Sequence, residues 1–203
     1  MRIRKLPGST IEANVSYDGA DKILTPMFYS GGLVLSQVAQ LTGLEGYIIQ
    51  NWIKRKYIMP PFNKKYSRNQ LCRIFIINTL KHCFTLDQII TILNYVNNSA
   101  KGEPQYAGGF ADDGLLINEA VISDSDLYIY FINVLTSLRT EDNDGLRTNN
   151  LDDAIAGATS EYAQSSKHAR NRLADVLKIM IAAYASYEIK ENAVESYAKL
   201  DFI

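Results

Sequence analysis

The chain has 203 residues, is 47% hydrophobic and 21% charged, and carries two cysteines and a formal net charge of −1. A chain of this length buries a sizeable core without staples, which excludes a disulfide framework, and its composition is that of a globular domain. No stretch reaches the length of a membrane span, and the first residues lack the apolar run of a signal peptide. Cys72 and Cys83 fall on one predicted helix, roughly three turns apart at about 1.5 Å per residue, too far to pair. A reduced, cytoplasmic protein with no membrane partner is the expectation.

The near-zero net charge conceals a segregation. Residues 1–34 hold four basic and three acidic side chains. Residues 35–100 hold eight basic and two acidic, a net +6, whereas the remainder holds nine basic and seventeen acidic, a net −8. A basic segment joined to an acidic one suits a nucleic-acid-binding module with a separate assembly or effector module. Clustered solvated faces give the same pattern with no partner at all.

In chain order, residues 1–30 read as an irregular N-terminal arm, punctuated by Pro7, Gly8, Gly19 and Pro26. Leu35–Leu41 predicts a short helix with Ser36 as N-cap, broken at Thr42-Gly43-Leu44. A second helix is expected over about 45–55, stopped ahead of Met59-Pro60-Pro61. The stretch from Tyr57 to Tyr66 has room only for a small hairpin or an extended loop. Ser67 with Gln70, and Thr85 with Gln88, each form a capping box that opens a helix. Residues 99–122 read as a glycine-rich linker. A helix is expected from about Ser123 to Leu138, followed by a polar loop over 139–150. Beyond Gly157, Leu173, Val176, Leu177, Met180, Tyr184 and Tyr187 recur at three- and four-residue steps, as on one long amphipathic helix or two in tandem. The fold class expected is mainly α. An arm (1–30) precedes a winged helix-turn-helix domain (31–98), a linker (99–122) and an all-α module (123–203).

The second helix carries the functional signal. At 100° per residue, Tyr47, Gln50, Asn51 and Lys54 share one narrow arc, while Ile48, Ile49, Trp52 and Ile53 cover the other side. Asparagine and glutamine pair with adenine edges, and lysine reaches guanine or phosphate. This helix follows a shorter one through a turn holding Gly43, the helix-turn-helix order. Lys54-Arg55 close it, and Lys64, Lys65, Tyr66 and Arg68 lie beyond the double proline, where a wing would neutralise phosphates. A solvated polar helix followed by a lysine-rich loop would look the same.

The segment from Leu35 to Leu93, LSQVAQLTGLEGYIIQNWIKRKYIMPPFNKKYSRNQLCRIFIINTLKHCFTLDQIITIL, resembles the winged helix-turn-helix of MerR-type regulators. The shared features are the turn through Gly43, Trp52 at an aromatic position, Tyr57-Ile58, a short wing ending in Lys-Lys-Tyr-Ser, and the phrase Phe84-Thr85-Leu86-Asp87-Gln88-Ile89. A wider stretch, from Leu24 to about Tyr128, closely resembles a MerR-like family of unknown function from low-GC Gram-positive bacteria. The resemblance implies a homodimeric, sequence-specific transcriptional regulator that binds double-stranded DNA. The seam between copies is expected on the C-terminal helix, at Leu173, Val176, Leu177, Met180, Tyr184 and Tyr187. The chain departs from the pattern where Gln50 replaces the usual arginine, Asn51 the usual aromatic and Lys64 another arginine, and lysine lacks the bidentate fork. The alternatives are a DNA-architectural or excisionase-like accessory protein, and a protein-interaction module that uses the helix-turn-helix as scaffold.

No enzyme constellation stands out, and no cofactor or metal is expected. His82 and His168 lie far apart in sequence. Asp112-Asp113 and Asp124/Asp126 suit a solvated loop and a helix start, and Gly108-Gly109 lacks the context of a phosphate loop. No cysteine follows Cys83, against a metal sensor of the MerR sort. A small-molecule effector is compatible with the C-terminal tyrosines but is not identified by them.

Overall fold

The computed structural model describes residues 3–97, 122–139, 148–160, 162 and 167–200. The expected linker, with Gly108-Gly109 and Asp112-Asp113, falls outside these residues apart from Ile122, as does most of the loop over 139–150. The described chain is mainly helical: α1 (Gly19–Leu24), α2 (Leu35–Thr42), α3 (Gly46–Lys54), α4 (Arg68–Leu80), α5 (Leu86–Val96), α6 (Asp124–Leu138), α7 (Leu151–Ala158) and α8 (Lys167–Ala198). A two-stranded antiparallel sheet, β1 (Ile3–Lys5) with β2 (Glu12–Val15), precedes them. Among the described residues no helix is long and apolar enough to cross a membrane.

The capping boxes set the helix starts where expected. Ser67 Oγ accepts from Gln70 N and the Ser67 N–H donates to Gln70 Oε1; Thr85 and Gln88 repeat the exchange. Ser123 caps α6 by accepting from Asp126 N. Ser36 is not a cap: α2 starts one residue earlier, with extended Val34 at the N-cap and its N–H held by Gln37 Oε1. Cys83 lies in the turn after α4 rather than in the helix that holds Cys72. Both thiols are free.

Helix α4 is the centre of the protein. Residues 71–77 are buried without interruption, the signature of a helix enclosed on all sides. It packs on α2, α5, α6 and α8. A hydrophobic cluster runs from Leu6 through Trp52, Phe75 and Phe131 to Tyr184, joining α2 and α3 to the C-terminal helices.

The arm expected to be irregular is a clamp. Thr10 donates its N–H to Leu41 O (2.8 Å) and its hydroxyl to Gln40 O (2.7 Å), satisfying carbonyls at the end of α2 that the helix leaves open. Asn78 of α4 donates to both Gly8 O (2.7 Å) and Thr42 O (3.0 Å), and buried Tyr128 of α6 donates to Pro7 O (2.7 Å). Gly8 is obligatory here, because with φ 72° a Cβ would stand 2.1 Å from Phe75 O.

The stripe expected to join two copies is consumed inside one. Leu173, Val176, Leu177 and Met180 are at most 1% exposed and Tyr184 is 8% exposed, with Tyr187 half-buried, packed on the rest of the same chain. The periodicity correctly marks a buried face; what covers it is α4, α5, α6 and α7. These residues are therefore already covered by helices of their own chain.

Candidate nucleic-acid interface

Helix α2 ends at Gly43, whose left-handed backbone (φ 69°) lets its N–H bond Ala39 O and turns the chain into α3. On α3 the apolar side faces inward: Ile49 and Trp52 are buried, Ile48 and Ile53 partly so. The opposite side presents Tyr47, 69% exposed, with Gln50, Asn51 and Lys54, all of them exposed. The sequence expectation and the structure coincide on which of these side chains meet solvent.

The chain leaves α3 through a Schellman turn. The Tyr57 N–H bonds Trp52 O and the Lys56 N–H bonds Ile53 O, with Lys56 in the left-handed region at φ 61°. Arg55 lies over the Tyr57 ring, 4.8 Å from its centroid, and the Tyr57 hydroxyl donates to Asp87 of α5 at 2.7 Å. The Tyr57 phenol is pushed above its ordinary pKa, first by burial and then by this bond.

Between α3 and α4 no strand forms among the described residues. A tight turn replaces one: Phe62 pairs with Lys65, and Asn63 and Lys64 both take positive φ (47° and 61°), the geometry of a type I′ hairpin turn. A second bridge follows, with Leu33 and Tyr66 exchanging backbone bonds of 3.0 and 2.7 Å. That exchange pins the residues before α2 to the far side of the turn.

The bridge redistributes the expected contact residues. Lys64 and Lys65 are exposed, with Lys65 Nζ donating to Ser30 O at 3.1 Å. Tyr66 is turned inward and only 2% exposed, so its side chain is core and not contact surface. Arg68 is half-buried and committed, its guanidinium paired with Asp21 and bonded to Thr25 Oγ1. Adjacency to Lys64-Lys65 in sequence misled for both: a residue past a bridge alternates to the other face, and the partner of Arg68 lies in an arm that reads as irregular.

The arm brings a surface that residue patterns did not reveal. Tyr29, 81% exposed, sits beside the Ser30 carbonyl that receives Lys65. The available signal was Gly31-Gly32, both with positive φ; at Gly32 this lets the backbone pass close to Tyr66 O. Among the described residues no three histidine, cysteine or acidic side chains gather as a metal site would require.

Residues 31–109 match the family described as a domain of unknown function, DUF1836. That span opens at the Gly31-Gly32 pair and takes in α2 to α5. No curated protein and no solved structure matches the chain.

Proposed function

We propose that the chain is a DNA-binding regulator of winged helix-turn-helix, MerR-like type, with α3 entering the major groove and the Phe62–Lys65 turn serving as a reduced wing. The observation that carries this reading is the backbone under two of its cations. Lys56 and Lys64 both occupy left-handed positions where glycine is the relaxed choice, and a side chain there costs roughly 1–2 kcal/mol. Positive side chains held at such positions, flanking an outward Tyr/Gln/Asn/Lys row, suit a surface shaped by an anionic partner. In this reading Gln50 and Asn51 read base edges, and Lys54, Arg55, Lys56, Lys64 and Lys65 position the phosphates.

A lone module this small covers few base pairs, so the regulator is proposed to act as a dimer on paired half-sites. The seam moves to the outer face of α8. Ile179, Ala182, Ser186, Ile189 and Ala193 are all exposed and follow one another at steps of three and four residues, as a helix-pairing stripe does. Ser186 is the one polar member, and it is small enough to let a second helix approach.

The test is selection of genomic fragments with the purified chain, followed by gel shifts at low and moderate salt. Sequence-selective retention supports the proposal. Uniform and steeply salt-sensitive binding points instead to an architectural protein, and no retention at either salt overturns DNA binding in favour of a protein-interaction scaffold.

A further inference from the structure

An open cavity of about 280 Å³ lies behind α2 and α3, bordered by the Leu6–Thr10 loop, the Thr42–Leu44 turn, the end of α4 and one face of α8. It is near the small end of ligand-pocket sizes, roughly 300 Å³. Most of its uncharged polar groups are already engaged. The hydroxyls of Ser9, Thr42 and Thr79 donate to backbone carbonyls, and Asn78 spans Gly8 and Thr42.

What remains is charge. Among the described residues, Lys5, Lys81 and His82 line the cavity and no carboxylate does. None of the three has an ion-pair partner among the described residues. The nearby acids of α8 are occupied, Glu188 by Arg139 and Tyr184, and Glu191 by Tyr187. The opposite wall is aromatic: Tyr184 and Tyr187 line it, and His82 stacks on Tyr187 with ring centroids 4.4 Å apart.

We propose that this cavity binds a small organic anion, its carboxylate or phosphate held by Lys5 and Lys81 and its apolar body laid against Tyr184 and Tyr187. Lys5, Lys81 and His82 are all exposed to solvent, and a cleft lined by one sign of charge attracts the opposite charge more strongly than a flat surface does. The electrostatics agree. The Lys81 ammonium is held below its ordinary pKa by burial, and the His82 imidazole by burial and then by Lys81 and Lys190, with Glu191 opposing. A bound anion beside them favours the charged form of both. The loop that forms one wall also closes the end of α2 through Thr10, so occupancy links α8 to the turn ahead of α3. This regulatory step rests on the DNA-binding reading; binding of the anion does not.

The test uses the full chain without DNA, titrated with phenyl phosphate and benzoate by calorimetry, with benzylamine as a cation of similar shape. Saturable binding of at least one anion and none of benzylamine is expected. Lys5→Ala with Lys81→Ala should weaken it roughly tenfold or more, about 1.4 kcal/mol. Lys64→Ala with Lys65→Ala should leave it unchanged, which separates the cavity from the basic surface. A melting curve checks that the variants fold, and His82→Gln supplies a second, single-site perturbation. Absence of saturation up to about 10 mM for both anions, or loss of binding in the Lys64/Lys65 variant alone, overturns the site. If the anion binds but leaves the affinity for a selected fragment unchanged, the regulatory step falls and the site stands.

Discussion

Arg73 and Asp124 form a buried ion pair that fastens the turn after α3 to the first turn of α6. Arg73 Nη1 donates to Asp124 Oδ1 and Oδ2 at 3.1 and 3.2 Å, while its Nε donates to Tyr57 O at 2.7 Å. Burial pushes the Asp124 carboxyl above its ordinary pKa, and the facing guanidinium pulls it back. Removing one partner strands the other in the core, so Asp124→Ala should lower stability by about 3–5 kcal/mol. Urea unfolding of the two chains measures it. A loss below about 1 kcal/mol would mean that water reaches the pair.

His82 sets a pH dependence of known sign. Its folded pKa is depressed, first by burial and then by Lys81 and Lys190. A depressed pKa favours the neutral form, so the associated stability is present above the unfolded pKa of about 6.5 and fades as pH falls through the folded value. The melting temperature of the wild type should therefore drop more between about pH 7.5 and 5 than that of His82→Gln. Parallel curves for the two chains would show that His82 titrates alike folded and unfolded.

Lys64→Gly separates stability from function. Glycine at the second central position of a type I′ turn relieves the strain that Lys64 carries at φ 61°. The substitution should raise stability by roughly 0.5–1 kcal/mol and, by deleting the phosphate contact proposed for Lys64, weaken DNA binding and shallow its salt dependence by about one unit of slope. Thermal melts and gel shifts over a salt series read the two effects separately. A gain in stability with unchanged DNA affinity removes Lys64 from the interface.

Gln50→Ala and Asn51→Ala bear on base reading alone. Both side chains are exposed on α3, so the melting temperature should hold. Affinity for a selected site should fall by roughly 1–3 kcal/mol per substitution, and affinity for unrelated DNA should barely change. Equal retention of the selected site by both variants would sink α3 as the reader.

The features legible from residues alone are those fixed within a few positions. Ser67 with Gln70 and Thr85 with Gln88 announce α4 and α5, because a cap is a local contact. The two-sided character of α3 follows from its spacing. The arm is not legible: its strands hold three and four residues, too short for alternation to show, and its value lies in bonds to Gln40, Leu41 and Asn78 far along the chain. Tyr66 and Arg68 escape for the same reason, since a bridge to Leu33 and a partner at Asp21 are set by tertiary structure. Periodicity on α8 establishes that Leu173 to Tyr184 include a buried face, but periodicity is silent on whether the covering surface belongs to the same chain.

That last ambiguity makes α8 the sharpest test of assembly. The helix spans 32 residues, about 48 Å at 1.5 Å per residue, and its buried positions stop at Tyr184. Beyond it, every residue from Ile189 to Leu200 is exposed, Ile189 by 70% and Val194 by 55%. The two faces predict opposite phenotypes. Met180 is fully buried, and Met180→Glu places a carboxylate in the core, so it should lower stability by several kcal/mol through desolvation of the new charge. Ile189→Glu touches no core and should leave the monomer's unfolding transition intact while abolishing the pairing of copies. Light scattering at tens of micromolar, with a melt of each variant, distinguishes the outcomes. A wild type that stays monomeric with and without a selected fragment rules out pairing through this face. Dimers that survive Ile189→Glu move the seam off α8 altogether.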